Sequence, residues 1–107
     1  MIQITIYKHN NEYSKITAFG HAGFEEYGKD IVCAAVSVLI INTANSLEQF
    51  TDDLFDASTL EDGTTEILLK EHPGEKAVLL LDSLCFGLNS ILSQYGETYL
   101  RIDYKEV

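Results

Sequence analysis

The sequence predicts an α+β fold, a two-layer sandwich in which two helices cover a mostly antiparallel sheet in the order ββαββαβ. Three observations carry that prediction. Short segments place apolar residues at every second position, as in Ile2, Ile4 and Ile6, which is the period of a strand buried on one face. Two longer segments repeat apolar residues at spacings of three and four, the period of a helix lying on a sheet. Turn residues separate the strand segments into two pairs, as hairpins require.

The first strand alternates Ile2, Ile4 and Ile6 with Gln3, Thr5 and Tyr7, and His9-Asn10-Asn11-Glu12 turns it back. A second strand, about Tyr13 to Gly20, alternates more weakly through Ile16 and Ala18. After a Gly23–Lys29 loop, Val32, Val36, Leu39, Ile40, Thr43, Leu47 and Phe50 mark a helix from about Ile31 to Phe50. Its first half is apolar nearly all round, as in a helix covered by the sheet on one side and by a second subunit on another. Leu54 to Leu60 and Thr64 to Glu71 flank the turn Glu61-Asp62-Gly63. Pro73 precedes a second helix, Glu75 to Tyr95, whose stripe of Ala77, Leu81, Leu84, Leu88, Ile91 and Tyr95 ends at Gly96. A glycine there suits the helix terminus. Thr98 to Tyr104 forms the closing strand. Cys85, flanked by Leu81, Leu84 and Leu88, reads as an inert buried thiol,. His9 and His72 read as surface residues.

At 107 residues, 46% hydrophobic and 22% charged, the chain has the size and composition of one domain with a small core,. It holds no uninterrupted apolar run of about 18 residues, so no membrane span is expected. The alternating N-terminus is unlike a signal peptide, and two cysteines make no disulfide framework. The expected location is the cytoplasm. Net charge is −10, from 17 acidic and 7 basic residues. That surface repels bare nucleic acid and attracts basic partners.

The chemistry concentrates in the stretch from Gly20 to Ser37. Asp30 is a natural N-cap for the first helix, which would place Cys33 in its first turn. Unpaired amides and the positive end of the helix dipole there favour a thiolate. His21, at the strand end, is the candidate imidazole to complete the activation. Ser37 follows Cys33 by one turn on the same face, able to donate to the sulfur or to an oxyanion. Phe24 and Tyr27, flanked by Gly23 and Gly28, suggest a mobile lid. Gly23 to Asp30 comes within one residue of a phosphate-binding loop. However, Asp30 replaces the magnesium-binding hydroxyl, and Glu25 and Glu26 would meet the phosphate. No histidine or cysteine pair has metal-ligand spacing, so neither a metal nor a cofactor is expected.

Gly20-His21, a short loop, then Asp30-x-x-Cys33-x-x-x-Ser37 resembles the Prp family of ribosomal-processing cysteine proteases. The resemblance implies that His21 is the base and Cys33 the nucleophile, with Gly20, Asp30 and Ser37 in supporting positions. It further implies a homodimer, and a substrate that is the N-terminal extension of a large-subunit ribosomal protein, cut after paired phenylalanines. Two other functions fit the residues alone: a non-catalytic acidic module for ribosome assembly, and a thiol redox sensor that needs Cys33 but not His21.

Overall fold

The computed structural model describes the backbone of residues 1–20 and 27–107, and side chains outside 21–30. Strands β1 (Ile2–His9) and β2 (Glu12–Phe19) form the first hairpin. Asn10 and Asn11 both take positive φ, 49° and 66°. That pair of left-handed residues makes a two-residue turn whose twist matches the strands it joins, and asparagine tolerates it. Helix α1 (Tyr27–Phe50) follows, then the hairpin β3 (Phe55–Thr59) and β4 (Thr65–Leu69), helix α2 (Glu75–Tyr95) and β5 (Leu100–Glu106). This is the ββαββαβ order expected.

The five strands lie in the order β3-β4-β2-β1-β5. Three of the neighbouring pairs are antiparallel, while β1 and β5 run parallel. Register stacks the apolar positions on one face: Ile4 opposes Ala18 and Ile102, and Ile16 opposes Ile6 and Ile67. Both helices cover that face. Ile4, Ile6, Val32, Leu47, Ile67, Leu81, Leu84, Leu88 and Leu100 are wholly buried between the layers. Each buried side chain of this size contributes roughly 1.5–3 kcal/mol. The opposite face carries Gln3, Thr17, Lys15, Arg101 and Asp103, including the Gln3–Asp103 hydrogen bond of 3.0 Å. Each helix has the length and apolar composition of a membrane span. Part of that composition serves packing: Val32, Val36, Ile40 and Leu47 of α1 and Ala77, Leu81, Leu84 and Leu88 of α2 are buried in the shared core. The helices meet at Gly87, where a Cβ would come within 2.9 Å of Leu39 Cδ1.

Two details depart from the sequence expectation. Helix α1 begins at Tyr27, four residues before Ile31. Asp30 therefore lies inside the helix and does not cap it, and Tyr27 and Gly28 open the helix instead of belonging to a loop. The reason is the hydrogen-bond ladder: starting earlier lets the carbonyls of residues 27–30 accept from the amides of residues 31–34. No proline opposes the extra turn, and one glycine costs at most about 1 kcal/mol. In β1–β2, the register shifts after Tyr7, which opposes Lys15 while Lys8 opposes Tyr13. The extra residue, Ser14, is a β-bulge that turns Tyr13 into the core.

Candidate active site

Cys33 is half-buried in the second turn of α1. It borders a cavity of about 120 Å³ with Ser37, Val36, Ile40 and Ile41 of the same helix. Across from them stand Ile2 at the start of β1, Ala18 and Gly20 at the end of β2, and Gly63 and Thr65 of the β3–β4 hairpin. The fold thus brings three of the expected residues, Gly20, Cys33 and Ser37, to one cavity. His21, Gly23 and Phe24 lie outside the described residues, although Gly20 is the covalent neighbour of His21.

Gly20 has a physical reason to be glycine. Its φ is +87°, and a Cβ would stand 2.6 Å from the Met1 carbonyl oxygen. Any side chain would be both strained and in collision with backbone. The chain therefore leaves β2 in one defined direction immediately before His21.

The helix-start contribution expected at Cys33 needs correction. With α1 opening at Tyr27, the unpaired amides belong to residues 27–30,. Cys33 lies roughly 5–9 Å further along the axis at 1.5 Å per residue, where its own amide is inside the ladder. Ser37 is the polar side chain one turn onward, exposed and lining the same cavity.

Ile2, Gly63 and Thr65 complete the cavity and were not anticipated from the sequence. Gly63, at φ +91° with open space where a Cβ would stand, leaves the wall low. The hairpin signal Glu61-Asp62-Gly63 located that turn, but only the sheet order places it beside α1.

The other two histidines sit at the opposite end of the sheet. His9 and His72 border a hollow shared with Glu12 and Tyr13. His9 Nδ1 lies 2.7 Å from the Val107 carbonyl oxygen, and His72 Nδ1 lies 3.0 Å from Glu12 Oε1. Seven residue steps along β1 separate His9 from Ile2, a span of roughly 23 Å,. Neither can serve Cys33. Among the described residues, no group of three or more His, Cys, Asp or Glu is placed to hold a metal ion.

Comparison with known proteins gives the class first. Two crystal structures of a ribosomal processing protease from Staphylococcus aureus superpose with TM-scores of 0.88 and 0.86, at 26% and 27% identity. Each comparison covers 98% of this chain and 100% of the other; one structure holds a substrate peptide, the other a covalently linked product peptide. The fold is that of a cysteine protease. More particularly, the chain belongs to the family described as cysteine protease Prp, whose model matches residues 1–100. Ribosomal processing cysteine protease Prp of S. aureus is 30% identical over 99 residues, covering 89% of this chain and 92% of that protein. The Bacillus subtilis protein of the same name is 30% identical over 105 residues, covering 91% and 92%.

Proposed function

We propose that this protease removes the N-terminal extension of a large-subunit ribosomal protein, with Cys33 as nucleophile and His21 as its general base. The observation that carries the dyad is elimination joined to connectivity. Of three histidines in the chain, His9 and His72 stand at the far end of the sheet, and the remaining one follows directly on Gly20 at the Cys33 cavity. His21 takes the thiol proton, and the thiolate attacks the scissile carbonyl. Ser37 is the donor one turn along for the developing oxyanion. His21 then protonates the leaving amine, and water attacks the thioester to release the extension. Asp30 is the carboxylate of the motif available to orient the imidazole.

The ribosomal substrate is supported by what the relatives are called and by the peptides their structures hold. A net charge of −10 further favours a basic polypeptide as partner, without direct contact to nucleic acid,. The protein acts as a homodimer in the reducing cytoplasm. Exposed Ile31 and Val38 on α1, with Leu79 and Phe86 on α2, supply apolar surface for a second copy, and both cysteines are free thiols.

The deciding experiment incubates purified wild-type and Cys33→Ala protein with the extended ribosomal protein. Wild type shortens it and the variant does not. An uncut substrate with the wild type, or equal cutting by both, ends the proposal. His21→Ala should lose cleavage as well; cleavage that survives with alkylation of Cys33 unchanged would instead point to a thiol used without a base.

A further inference from the structure

Beside the Cys33 cavity lies a second hollow of about 190 Å³, between α1 and the outer hairpin. Ile40, Ile41 and Ala44 form its helix wall, and Ala57, Thr59 and Ile67 belong to its strand wall. It shares Ile40, Ile41 and Thr65 with the cavity of Cys33, so the two make one trough leading away from the sulfur. Alanine at positions 44 and 57 keeps the trough wide, and its lining is mostly apolar.

The outer wall is the edge of the sheet, and its hydrogen-bonding groups can be assigned. The Leu60 amide donates to the Thr64 carbonyl at 2.7 Å, and the Lys70 amide donates to the Leu54 carbonyl at 3.0 Å. In an antiparallel ladder, alternate residues face the partner strand. Leu54, Asp56, Ser58 and Leu60 therefore turn their backbone groups to β4, while Phe55, Ala57 and Thr59 turn theirs outward. Among the described residues no strand pairs with that side. Ala57 and Thr59 are exposed. An edge left open in this way is a template for another extended chain. The adjacent turn carries exposed Glu61 and Asp62, which favour a basic one,.

Taking the peptidase reading above as its basis, we infer that the substrate polypeptide binds as an added strand along the outer edge of β3. It runs from Cys33 past Thr59 and Ala57 towards Phe55, with one apolar side chain in the trough between Ala44 and Ala57. Main-chain bonds to Ala57 and Thr59 give affinity independent of sequence, and the trough supplies selection. The edge from Thr59 to Phe55 is roughly 13 Å long, enough for four residues of an extended peptide.

The test uses a synthetic peptide spanning the processing junction, and a series in which one backbone amide at a time is N-methylated. With wild-type protein, methylation at alternate positions on one side of the scissile bond should raise KM about tenfold, and the intervening positions should not respond. The variant Ala57→Pro removes an outward-facing amide that the ladder does not use, so the sheet accepts it. It should raise KM for the unmethylated peptide about five- to tenfold while Cys33 is alkylated at the wild-type rate. A flat methylation profile in an enzyme that cleaves would overturn the strand-addition proposal and leave the peptidase reading standing. So would an Ala57→Pro variant that folds with an unaltered KM, or one whose effect is only to convert a dimer to monomer in sedimentation. Should Ala57→Pro not fold, the methylated series on wild type decides alone. If wild type cleaves no peptide in the series or the parent, the peptidase reading falls and this inference falls with it.

Discussion

The two cysteines of this protein sit on the two helices, each inside an apolar stripe, yet their surroundings set them apart. Cys33 is half-buried beside a cavity walled by Gly20 and Gly63. Cys85 is buried; the Tyr13 hydroxyl donates to Asp82, and its oxygen lies 3.6 Å from the Cys85 sulfur. Burial pushes the Cys85 thiol up from its ordinary range. Burial, reinforced by the hydrogen bond to Asp82, likewise holds the Tyr13 phenol far above its usual value. The helices are alike, so the strand ends opposite them make the difference. At one end the sheet presents glycines and leaves room; at the other a bulge at Ser14 swings a tyrosine over the sulfur. A cysteine's role here is decided by what the sheet places across from it.

That contrast can be broken most forcefully by exchange of the thiols. Cys33→Ala should lower peptide cleavage by on the order of 10³-fold or more, while Cys85→Ala stays within about twofold and loses roughly 1 kcal/mol of stability. Mass spectrometry after iodoacetamide treatment should find Cys33 modified in the native protein and Cys85 only in denaturant. Equal labelling of both would erase the distinction.

The glycines that keep the Cys33 end open come next. Gly20→Ala adds a collision with the Met1 carbonyl to an unfavourable φ, and should cost about 1–3 kcal/mol in denaturant titration,. Cleavage should fall with it, because the chain path into His21 shifts. Gly63→Ala meets no atom within 4 Å and carries only the strain of its φ, so roughly 1 kcal/mol is expected,.

At the closed end, Tyr13→Phe removes a hydrogen bond to a carboxylate and should cost about 1–2 kcal/mol with cleavage retained,. Its pH signature has a definite sign. The folded chain holds the Tyr13 proton well above the ordinary value of 10.0 at which the unfolded chain releases it. Above that pH the unfolded state binds fewer protons, so stability is full below about pH 10 and falls as pH rises. The phenylalanine variant should lose that part of the alkaline slope in melts between pH 9 and 11. The smallest effect belongs to the exposed Lys70–Asp56 pair, 3.0 Å apart. Lys70→Ala should shift stability by no more than about 0.5 kcal/mol.

Much of this architecture is legible in the residues, and the failures have causes. Ile2, Ile4 and Ile6 announce β1, and Pro73 and Gly96 bracket α2 near its observed ends. Asp30 has the chemistry of a good cap, but growing the helix backward pairs the amides of residues 31–34 and moves the unpaired ones to residues 27–30,. Alternation says which face of a strand is buried and nothing about its neighbours, so the parallel union of β1 with β5 could not be read. Nor could the bulge at Ser14, which reverses the face that Tyr13 presents. Local spacing groups Gly20, Cys33 and Ser37, and the fold sets all three around one cavity. Ile2, Gly63 and Thr65 were missed because only long-range pairing brings them there.

The parallel pairing of β1 with β5 bears on how the chain is made. Residues 2–8 occupy the second-last place in the sheet, yet the strand on their outer side is supplied by residues 100–106. Until those residues have been synthesised, an isoleucine-rich strand remains a bare margin able to pair with a neighbouring nascent chain. Completion of the sheet therefore waits on β5, and loss of residues 100–106 should yield aggregates in place of a trimmed but working molecule,.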